Sequence, residues 1–400
     1  PDVAAMLAQR LLRIKTVDPV FEKSGTHTIA VCRAGPETVP DTVLNHLHLP
    51  FRKSSSSRIL TAQTLRDEVS RADQKRDHAV TRWLNDQETG HDYLFFVADP
   101  DLSDWSRMAI RHADMVVFIG MAPAQQPGSP VPLNALEKYA QEVRRPDAQR
   151  LVLVHGHDGE ISGTRHWLEG RKVHMHHHVT AGSVADYRRV ARFFRGEALG
   201  LVACGGGAFC SAHIGLFQAF NEAGLEFDIM GGTSGGAAMV GAYAKGTDPD
   251  ELDRRTHDIF VTRGALRRAT FPRYSLLDHK VFDECLAEHY GTTRVEDLKV
   301  PYFAVATNLS HNRLTCVREG PLWLSIRASS AIPGLLPPVY TDEGDMLVDG
   351  SLLDNVPLRQ MCELKSGPNV IVNFEPPDLV IKDVVYEALP ARALLMRSTM

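Results

Sequence analysis

The chain has 400 residues, of which 44% are hydrophobic and 23% charged, and its formal net charge is −5 at pH 7. This length exceeds the roughly 250–300 residues at which single cores stop growing, so it predicts two domains. The balanced charge argues against a nucleic-acid-binding surface, which needs a basic excess. No run of about 18 apolar residues is long enough to span a membrane, and no signal peptide is recognisable.

The six cysteines are scattered and form no C-x-x-C pair, which argues against a zinc or disulfide framework and fits a reducing compartment. We therefore expect a cytoplasmic protein, with at most a peripheral position on the inner membrane. The sequence begins at Pro1 and stops at Met400 inside an apolar helical pattern. We expect it to be a fragment of a longer protein whose second domain is incomplete at its C-terminus.

The first half alternates short β-rich runs with helical patterns, which predicts a parallel α/β layer. The predicted strands are Thr28–Cys32, Tyr93–Ala98, Met115–Ile119 and Leu151–Val154. The predicted helices include Thr61–Gln87 and Ser103–His112, and the loop-like stretches are 53–57 and 122–132. After the helical run Val184–Arg195 a second α/β unit begins near Leu199, so the predicted domains are residues 1–198 and 199–400.

The first domain lacks the sequence of a working phosphate-binding loop. Its first strand is followed by Arg33-Ala34-Gly35-Pro36, and the pair Lys53-Ser54 has no glycines around it to bring backbone N–H groups onto a phosphate. An active NTPase is therefore not expected, and a structural or regulatory domain is the preferred interpretation.

A glycine-rich loop, Cys204–Ala208, opens the second domain between the predicted strand Leu199–Ala203 and a helix that Gly224 would end. Free N–H groups and the positive dipole end at this helix start favour an anion, either a phosphate or the oxyanion of a tetrahedral intermediate. The competing interpretation is a dinucleotide fingerprint, but the position of its third glycine is held by Cys210.

The pentapeptide Gly232-Thr233-Ser234-Gly235-Gly236 lies between an apolar run and a helix-forming run, which is the strand–turn–helix context of a nucleophile elbow. Ser234 is the candidate nucleophile, and we expect the flanking glycines Gly232 and Gly236 to let the backbone take a cramped, positive-φ turn without a Cβ clash. The alternative is a glycine-rich turn that happens to contain a serine.

The activating base of Ser234 is not a histidine in the usual hydrolase order, because no histidine occurs in the final 89 residues (400 − 311). The best-placed carboxylate is Asp349, which ends the apolar run Met346–Val348 and precedes Gly350. A tight turn there would project the side chain, although a plain turn aspartate would have the same local sequence.

Together, Cys204–Gly207, Gly232–Gly236 and Asp349-Gly350-Ser351 resemble the oxyanion loop, the elbow and the D-G-[GAS] motif of patatin-like phospholipases. The segments Ala212–Gly215, Ala306–Leu309, Arg327–Pro338 and Asp349–Pro357 are similar to the neuropathy-target-esterase-like branch in bacteria. The resemblance covers residues 199–400. The first half, notably 93–120, is more weakly similar to the degenerate ParA/MinD-like domain that precedes the patatin domain in such proteins.

The resemblance implies a three-layer α/β/α catalytic domain behind a degenerate ParA/MinD-like α/β domain. It implies a Ser-Asp dyad of Ser234 and Asp349, with an oxyanion hole formed by the backbone of Gly205, Gly206, Gly207 and Ala208. The implied substrates are phospholipids or lysophospholipids, met through peripheral membrane contact, without a metal or other cofactor and without nucleic acid. The family often carries a cyclic-nucleotide-binding-like domain upstream, which this sequence does not contain.

The oxyanion loop departs from the family pattern, which continues with Arg or Lys and then Gly where this chain has Phe209 and Cys210. If that glycine needs positive φ, Cys210 would be strained. The departure motivates an alternative function, a catalytically silent patatin-like scaffold that binds lipid or regulates. Cys210 itself is interpreted as a small buried thiol rather than a nucleophile.

Two further segments carry alternatives. His174, His176 and His178 would share one face of a strand, which suggests a metal site or, preferably, packed imidazoles at a strand edge. Arg327–Pro338 is interpreted either as a rigid loop that lines an acyl pocket or as a plain connecting loop. Leu335 and Leu336 would then either contact the acyl chain of a substrate or fill the protein core.

Overall fold

The computed structural model describes residues 27–52, 55–69, 77–122, 128–272 and 275–374. The predicted loop residues Lys53 and Ser54, part of the 122–132 loop and the apolar C-terminal helix lie outside these ranges. Within them, no helix combines the length and the apolar composition that crossing a bilayer requires.

In the part of the chain that the structure describes, six parallel strands form the first sheet, in the order β2-β3-β1-β4-β5-β6. They are β1 (His27–Arg33), β2 (Ser57–Leu60), β3 (Tyr93–Val97), β4 (Met115–Ala122), β5 (Gln149–His155) and β6 (Met175–Thr180). The four strands predicted in the first half are confirmed as β1, β3, β4 and β5. β2 was missed because Ser57 ends a serine run that lacks the apolar pattern of a buried strand.

Helices cover both faces of this sheet: α1 (Asp41–Arg52), α2 (Ala62–Glu68), α3 (Asp77–Gly90), α4 (Asp104–His112), α5 (Ala135–Val143), α6 (Thr164–Leu168) and α7 (Val184–Phe194). The single helix predicted over Thr61–Gln87 is wrong. Its first part ends because the buried, β-branched Val69 takes an extended conformation (φ −116°, ψ 125°).

Among the residues described up to 374, seven strands form the second sheet, in the order β11-β12-β9-β8-β7-β13, with β10 paired to β9. They are β7 (Gly200–Ala203), β8 (Ile229–Thr233), β9 (Tyr302–Asn308), β10 (Arg313–Val317), β11 (Val339–Tyr340), β12 (Met346–Asp349) and β13 (Asn369–Val372). The helices are α8 (Ala212–Glu222), α9 (Gly235–Ala244), α10 (Pro249–His257), α11 (Lys280–Tyr290), α12 (Leu322–Ser329) and α13 (Leu358–Leu364). The predicted mixed α/β class is confirmed.

Side chains alternate along β9 between two cores, as the period of a strand requires. Ala304 packs with the core beneath α8–α12, whereas Phe303 and Val305 pack with Met361 and Leu364 of α13 on the opposite face. The second sheet is therefore the middle layer of an α/β/α arrangement.

The central strand β9 brings two other strands end to end along one of its edges. β8 runs parallel to β9 and pairs Thr233 with Val305, while β12 runs antiparallel and pairs Asp349 with Ala306. Because Val305 and Ala306 are neighbours, and β10 pairs with both of them, β8 and β12 share the remaining edge. The C-terminal ends of the two strands therefore meet, and the residues at those ends are Ser234 and Asp349.

The two sheets contact each other through the edge strand β6. His176 and His178 donate from Nε2 to the backbone oxygen of Glu296, over 2.9 and 2.8 Å. The backbone N–H of Thr164 donates to the Asp297 carboxylate over 3.0 Å. The histidines of β6 are thus part of a packed interface between the two halves of the described chain.

Candidate active site

Ser234 and Asp349 are hydrogen-bonded at the junction of β8 and β12. Ser234 Oγ donates to Asp349 Oδ2 over 2.7 Å, and the two residues are only 7% and 1% exposed. Ser234 has φ 53° and ψ −127°, a conformation that L-residues rarely adopt and that projects the side chain from a tight strand-to-helix turn. A buried hydroxyl is thereby aimed at a buried carboxylate.

The glycines of the elbow leave room for its cramped turn. The positive φ falls on Ser234 itself, and neither Gly232 nor Gly236 has it. Close packing requires them instead: a Cβ on Gly232 would lie 2.8 Å from the Ala237 nitrogen, and one on Gly236 would overlap the Cys204 carbonyl oxygen. The expectation that the flanking glycines admit a cramped, positive-φ turn without a Cβ clash is therefore confirmed, with the positive φ at Ser234.

A residue that the sequence analysis did not single out supports the elbow from below. The backbone N–H of Ser234 donates to Ser329 Oγ over 2.8 Å, and Ser329 Oγ donates to the Val305 carbonyl over 2.6 Å. Ser329 is fully buried at the end of α12. Its hydroxyl thus connects the elbow to the central strand. The predicted loop Arg327–Pro338 is helical as far as Ser329, which is why this role was not foreseen.

The environment of Asp349 favours its neutral form. Burial raises the pKa of this carboxyl, and the hydrogen bonds from the Ser234 hydroxyl and the Ser351 backbone N–H partly oppose that effect. The Ser351 N–H donates to Asp349 Oδ1 over 2.8 Å, so Asp349 Oδ2 remains available to accept from Ser234. A carboxylate with a raised pKa is a stronger base than a solvated one, which suits it to accept a proton from a hydroxyl.

The glycine-rich loop offers free amides, but Gly205 is not among them. Its N–H donates to Asn355 Oδ1 over 3.1 Å, and Asn355 Nδ2 returns a bond to the Gly205 carbonyl. For Gly206, Gly207 and Ala208, no hydrogen-bond partner of the N–H is found in the described part of the chain. Gly207, with φ 54°, and Ala208 line the cavity beside Ser234.

The departure at Phe209 and Cys210 does not strain the loop. Cys210 is fully buried without positive φ, and burial raises the pKa of its thiol to about 12. The neighbouring His213 donates from Nδ1 to the Cys210 carbonyl over 2.9 Å. Phe209, by contrast, is 68% exposed. The raised pKa favours the protonated thiol, and an exposed aromatic ring occupies the position where a cation was expected.

An apolar cavity of about 530 Å³ opens at Ser234. This volume lies in the range of about 300–1,000 Å³ that is typical of sites for small molecules. Ser330, Ile332 and Leu336 line it, so the segment after α12 contributes to its wall, and Leu336 also belongs to the core. The remaining wall is largely aliphatic and aromatic, and includes Met239, Leu252, Ile259, Phe260, Phe282 and Leu286.

The β6 histidines pack at the interface between the two sheets. His155 Nε2 and His178 Nδ1 are 3.0 Å apart, and His177 packs on the opposite face against Phe193. Burial is the main cause of the lowered pKa of His155 and His176, each about 4. No group of three potential metal ligands occurs in the described ranges.

Side chains from elsewhere in the first domain fill the space around the loop after β1. The N–H of Gly35 donates to Glu137 over 3.1 Å, and the buried guanidinium of Arg171 pairs with the same carboxylate. The Trp167 ring packs at 3.1 Å from the Cβ position of Gly35. An internal carboxylate therefore satisfies the Gly35 amide in the loop where a phosphate-binding cradle would begin.

The fold and the site define a patatin-like α/β domain, and comparison with known families agrees. Residues 201–361 match the family described as patatin-like phospholipase, which confirms the resemblance inferred from the sequence for this segment. Residues 45–197 match the neuropathy target esterase family P-loop like domain, so the esterase-like branch inferred from the sequence is confirmed. A bacterial placement within that branch stays a prediction.

Curated relatives are similar over both halves. Lysophospholipase NTE1 of Cryptococcus neoformans is 31% identical over 339 residues, which cover 71% of this chain and 20% of that protein. Patatin-like phospholipase domain-containing protein 7 of Rattus norvegicus is 27% identical, over 75% of this chain and 24% of the relative. Patatin-like phospholipase domain-containing protein ZK370.4 of Caenorhabditis elegans is 27% identical, over 90% of this chain and 30% of the relative. The chain thus spans less than a third of the length of these relatives.

Proposed function

We propose that this chain is a lipid-acyl hydrolase that cleaves carboxylic esters of phospholipids or lysophospholipids with a Ser-Asp dyad. The observation that carries the proposal is the 2.7 Å hydrogen bond from Ser234 Oγ to Asp349 Oδ2 at the end of an apolar cavity. The relatives named as a lysophospholipase and as a patatin-like phospholipase domain-containing protein support the same class of reaction.

In the first step, Ser234 Oγ attacks the ester carbonyl carbon while its proton passes to Asp349 Oδ2. The tetrahedral intermediate collapses by breaking the bond to the alcohol oxygen, and Asp349 returns the proton to that leaving group. Water then delivers a proton to Asp349 as its oxygen attacks the acyl-serine. Departure of the acid restores the Ser234 hydroxyl with the same proton, so the dyad ends each turnover unchanged.

The free N–H groups of Gly206, Gly207 and Ala208 are our proposed oxyanion hole, since the Gly205 amide is already bonded to Asn355. Gly205 then has a positioning role, because Asn355 fixes the peptide from which the loop departs. Each preorganised donor that faces a developing oxyanion contributes about 2.7–4 kcal/mol in acyl-transfer enzymes.

The apolar wall beside Ser234 suits an acyl chain better than a polar head group. Every methylene that leaves water for such a wall contributes about 0.8 kcal/mol. In this arrangement the chain lies among the aliphatic and aromatic side chains, the carbonyl carbon meets Ser234, and the head group faces the opening. Peripheral contact with a membrane and an upstream cyclic-nucleotide-binding-like domain in the full-length protein are part of the proposal.

The proposed roles are tested with purified protein, a soluble short-chain ester and a lysophospholipid. We expect Ser234→Ala to abolish hydrolysis of both and Asp349→Asn to reduce it by about 10²–10⁴-fold, the usual contribution of a general base. Asp342→Asn, in the exposed turn before β12, is the matched control and keeps full activity. Hydrolysis that survives in Ser234→Ala would refute Ser234 as the nucleophile. No hydrolysis by the parent protein would leave the chain as a silent lipid-binding scaffold.

A further inference from the structure

The cavity opening is surrounded by exposed apolar side chains, which we call the apolar rim: Phe209, Val261, Phe271, Leu276 and Ile332. Val261 and Ile332 are 49% and 41% exposed and also line the cavity, so they mark its mouth. Phe209 lies between Ala208 and Ser211, which line the cavity on the side of the oxyanion loop.

Phe271 and Leu276 reach the same mouth through backbone hydrogen bonds. The Leu276 N–H donates to the Gly334 carbonyl over 2.9 Å, in the segment that contributes Ile332 and Leu336 to the cavity. The Thr270 N–H donates to the Leu276 carbonyl, so Phe271 adjoins a residue that is bonded to Leu276. Phe271 is 86% exposed, the highest value among the large apolar residues that the structure describes.

Two arginines on the same segment add positive charge to the rim. Arg267 and Arg268 are exposed, and neither guanidinium has an ion pair or side-chain hydrogen bond within the described ranges. Their neighbour Arg263 is bonded to Glu288 instead. One carboxylate, Asp253, also lines the cavity. Aromatic and aliphatic groups beside unpaired arginines match the surface of an anionic bilayer, which takes apolar groups below its head groups and attracts cations at them.

We propose that the apolar rim, with Arg267 and Arg268, is a docking surface for an anionic phospholipid membrane, which seats the cavity mouth on the lipid from which the substrate enters. The choice of partner rests on the proposed function, because a lipid substrate must pass from a bilayer into this mouth. The surface assigns a use to Phe209: an exposed ring can enter the lipid where a cation would remain among the head groups.

The proposal is tested by sedimentation with vesicles of phosphatidylcholine, with and without phosphatidylserine, using Ser234→Ala protein so that the lipid is not consumed. We expect binding to the mixed vesicles. Adding Phe271→Ser should weaken it about tenfold or more through lost apolar burial. Adding Arg267→Gln and Arg268→Gln together should weaken it about 25-fold, since each charge near an anionic surface gives about fivefold.

Val143→Ser, which changes an exposed apolar residue on α5 of the first domain, is the matched control and should bind as the parent does. Phe271→Ser with Ser234 intact should hydrolyse a soluble short-chain ester at the unchanged rate. Equal vesicle binding by the parent and Phe271→Ser would overturn the docking surface. A Phe271→Ser protein that loses self-association but binds vesicles as the parent does would also overturn it. Vesicle binding without any ester hydrolysis would refute the proposed function and leave the docking surface standing.

Discussion

Ser234 is held in its unusual backbone conformation by bonds that leave its hydroxyl free to act. Such a conformation costs of the order of 1–3 kcal/mol and persists only where the surroundings fix it. Here the backbone N–H is bonded to Ser329, and Ser329 is bonded in turn to β9. The hydroxyl is left with Asp349 as its partner.

We predict that Ser329→Ala lowers kcat more than it changes KM. Loss of the partner of a buried N–H costs about 1–3 kcal/mol, which corresponds to about 5- to 150-fold if it falls on the reacting geometry. Steady-state kinetics with a soluble ester measure both constants, and Ser329→Thr should restore much of the rate by keeping the hydroxyl.

Ser325→Ala is the control for this variant. Ser325 is buried in the same helix, but its hydroxyl bonds to the Leu322 carbonyl of its own turn. We expect a small loss of thermal stability without a change in kcat. If Ser325→Ala and Ser329→Ala lower kcat equally, the positioning role of Ser329 is wrong.

The raised pKa of Asp349 predicts the acid side of the pH–rate profile. The carboxyl must be ionised to accept the Ser234 proton, so kcat/KM falls as the pH decreases through the pKa of Asp349. Because burial raises that pKa, the fall should begin above the ordinary aspartate range near 3.9. Circular dichroism at each pH controls for unfolding. A folded enzyme whose rate stays constant to below that range would contradict this role of Asp349.

At the scale of the elements, the site arises from two strands that end against one edge of β9. The parallel strand β8 and the antiparallel strand β12 meet opposite Val305 and Ala306. This arrangement brings together residues 115 positions apart in the sequence. Close packing of α9 against the end of β7 then fixes the elbow, and it leaves no room for a Cβ at Gly236.

We predict that Gly236→Ala lowers the melting temperature and the activity together. The added methyl group would overlap the Cys204 carbonyl oxygen, and overpacking of this kind costs typically about 1–3 kcal/mol. Gly215→Ala is the matched control, since Gly215 lies in α8 with open space around its Cβ position. That change should stabilise by about 0.5–1 kcal/mol, as alanine does in helices. Equal melting temperatures for the two variants would argue against the packing constraint.

The sequence indicated most of the elements because their apolar runs have clear periods and clear stops. The strand before the elbow, the helix that Gly224 follows and the Asp349 strand end all occur as predicted. The roles of Ser329 and Asn355 could not be predicted, because they depend on bonds to Ser234 and Gly205, 95 and 150 positions away. The hydrogen bond from the Gly205 N–H to Asn355 could not be predicted for the same reason.

At the scale of the whole molecule, the two sheets are joined by buried groups that prefer to be neutral. His176 and His178 donate to Glu296 with their neutral rings, and desolvation lowers the pKa of both. Such an interface couples the two halves in unfolding. The division at residues 198 and 199 stays a proposal about domains that share this contact.

We predict that the protein loses stability as the pH falls from about 6.5, the ordinary histidine pKa, toward 4. In this window the unfolded chain binds protons that the folded chain excludes, because the pKa values of His155 and His176 are about 4 when folded. Thermal melts across this range measure the effect. His176→Gln should show a smaller change with pH than the parent, and an identical change would contradict the assignment.

The central claim is that Asp349 activates Ser234, and covalent labelling by a fluorophosphonate tests it most directly. The Ser234 oxygen displaces fluoride from the probe, and mass spectrometry of the digested protein identifies the labelled residue. We predict one labelled serine, Ser234, and a labelling rate that is about 10²–10⁴-fold lower in Asp349→Asn but unchanged in Asp342→Asn. Labelling at another residue, or a full rate in folded Asp349→Asn, would contradict the account.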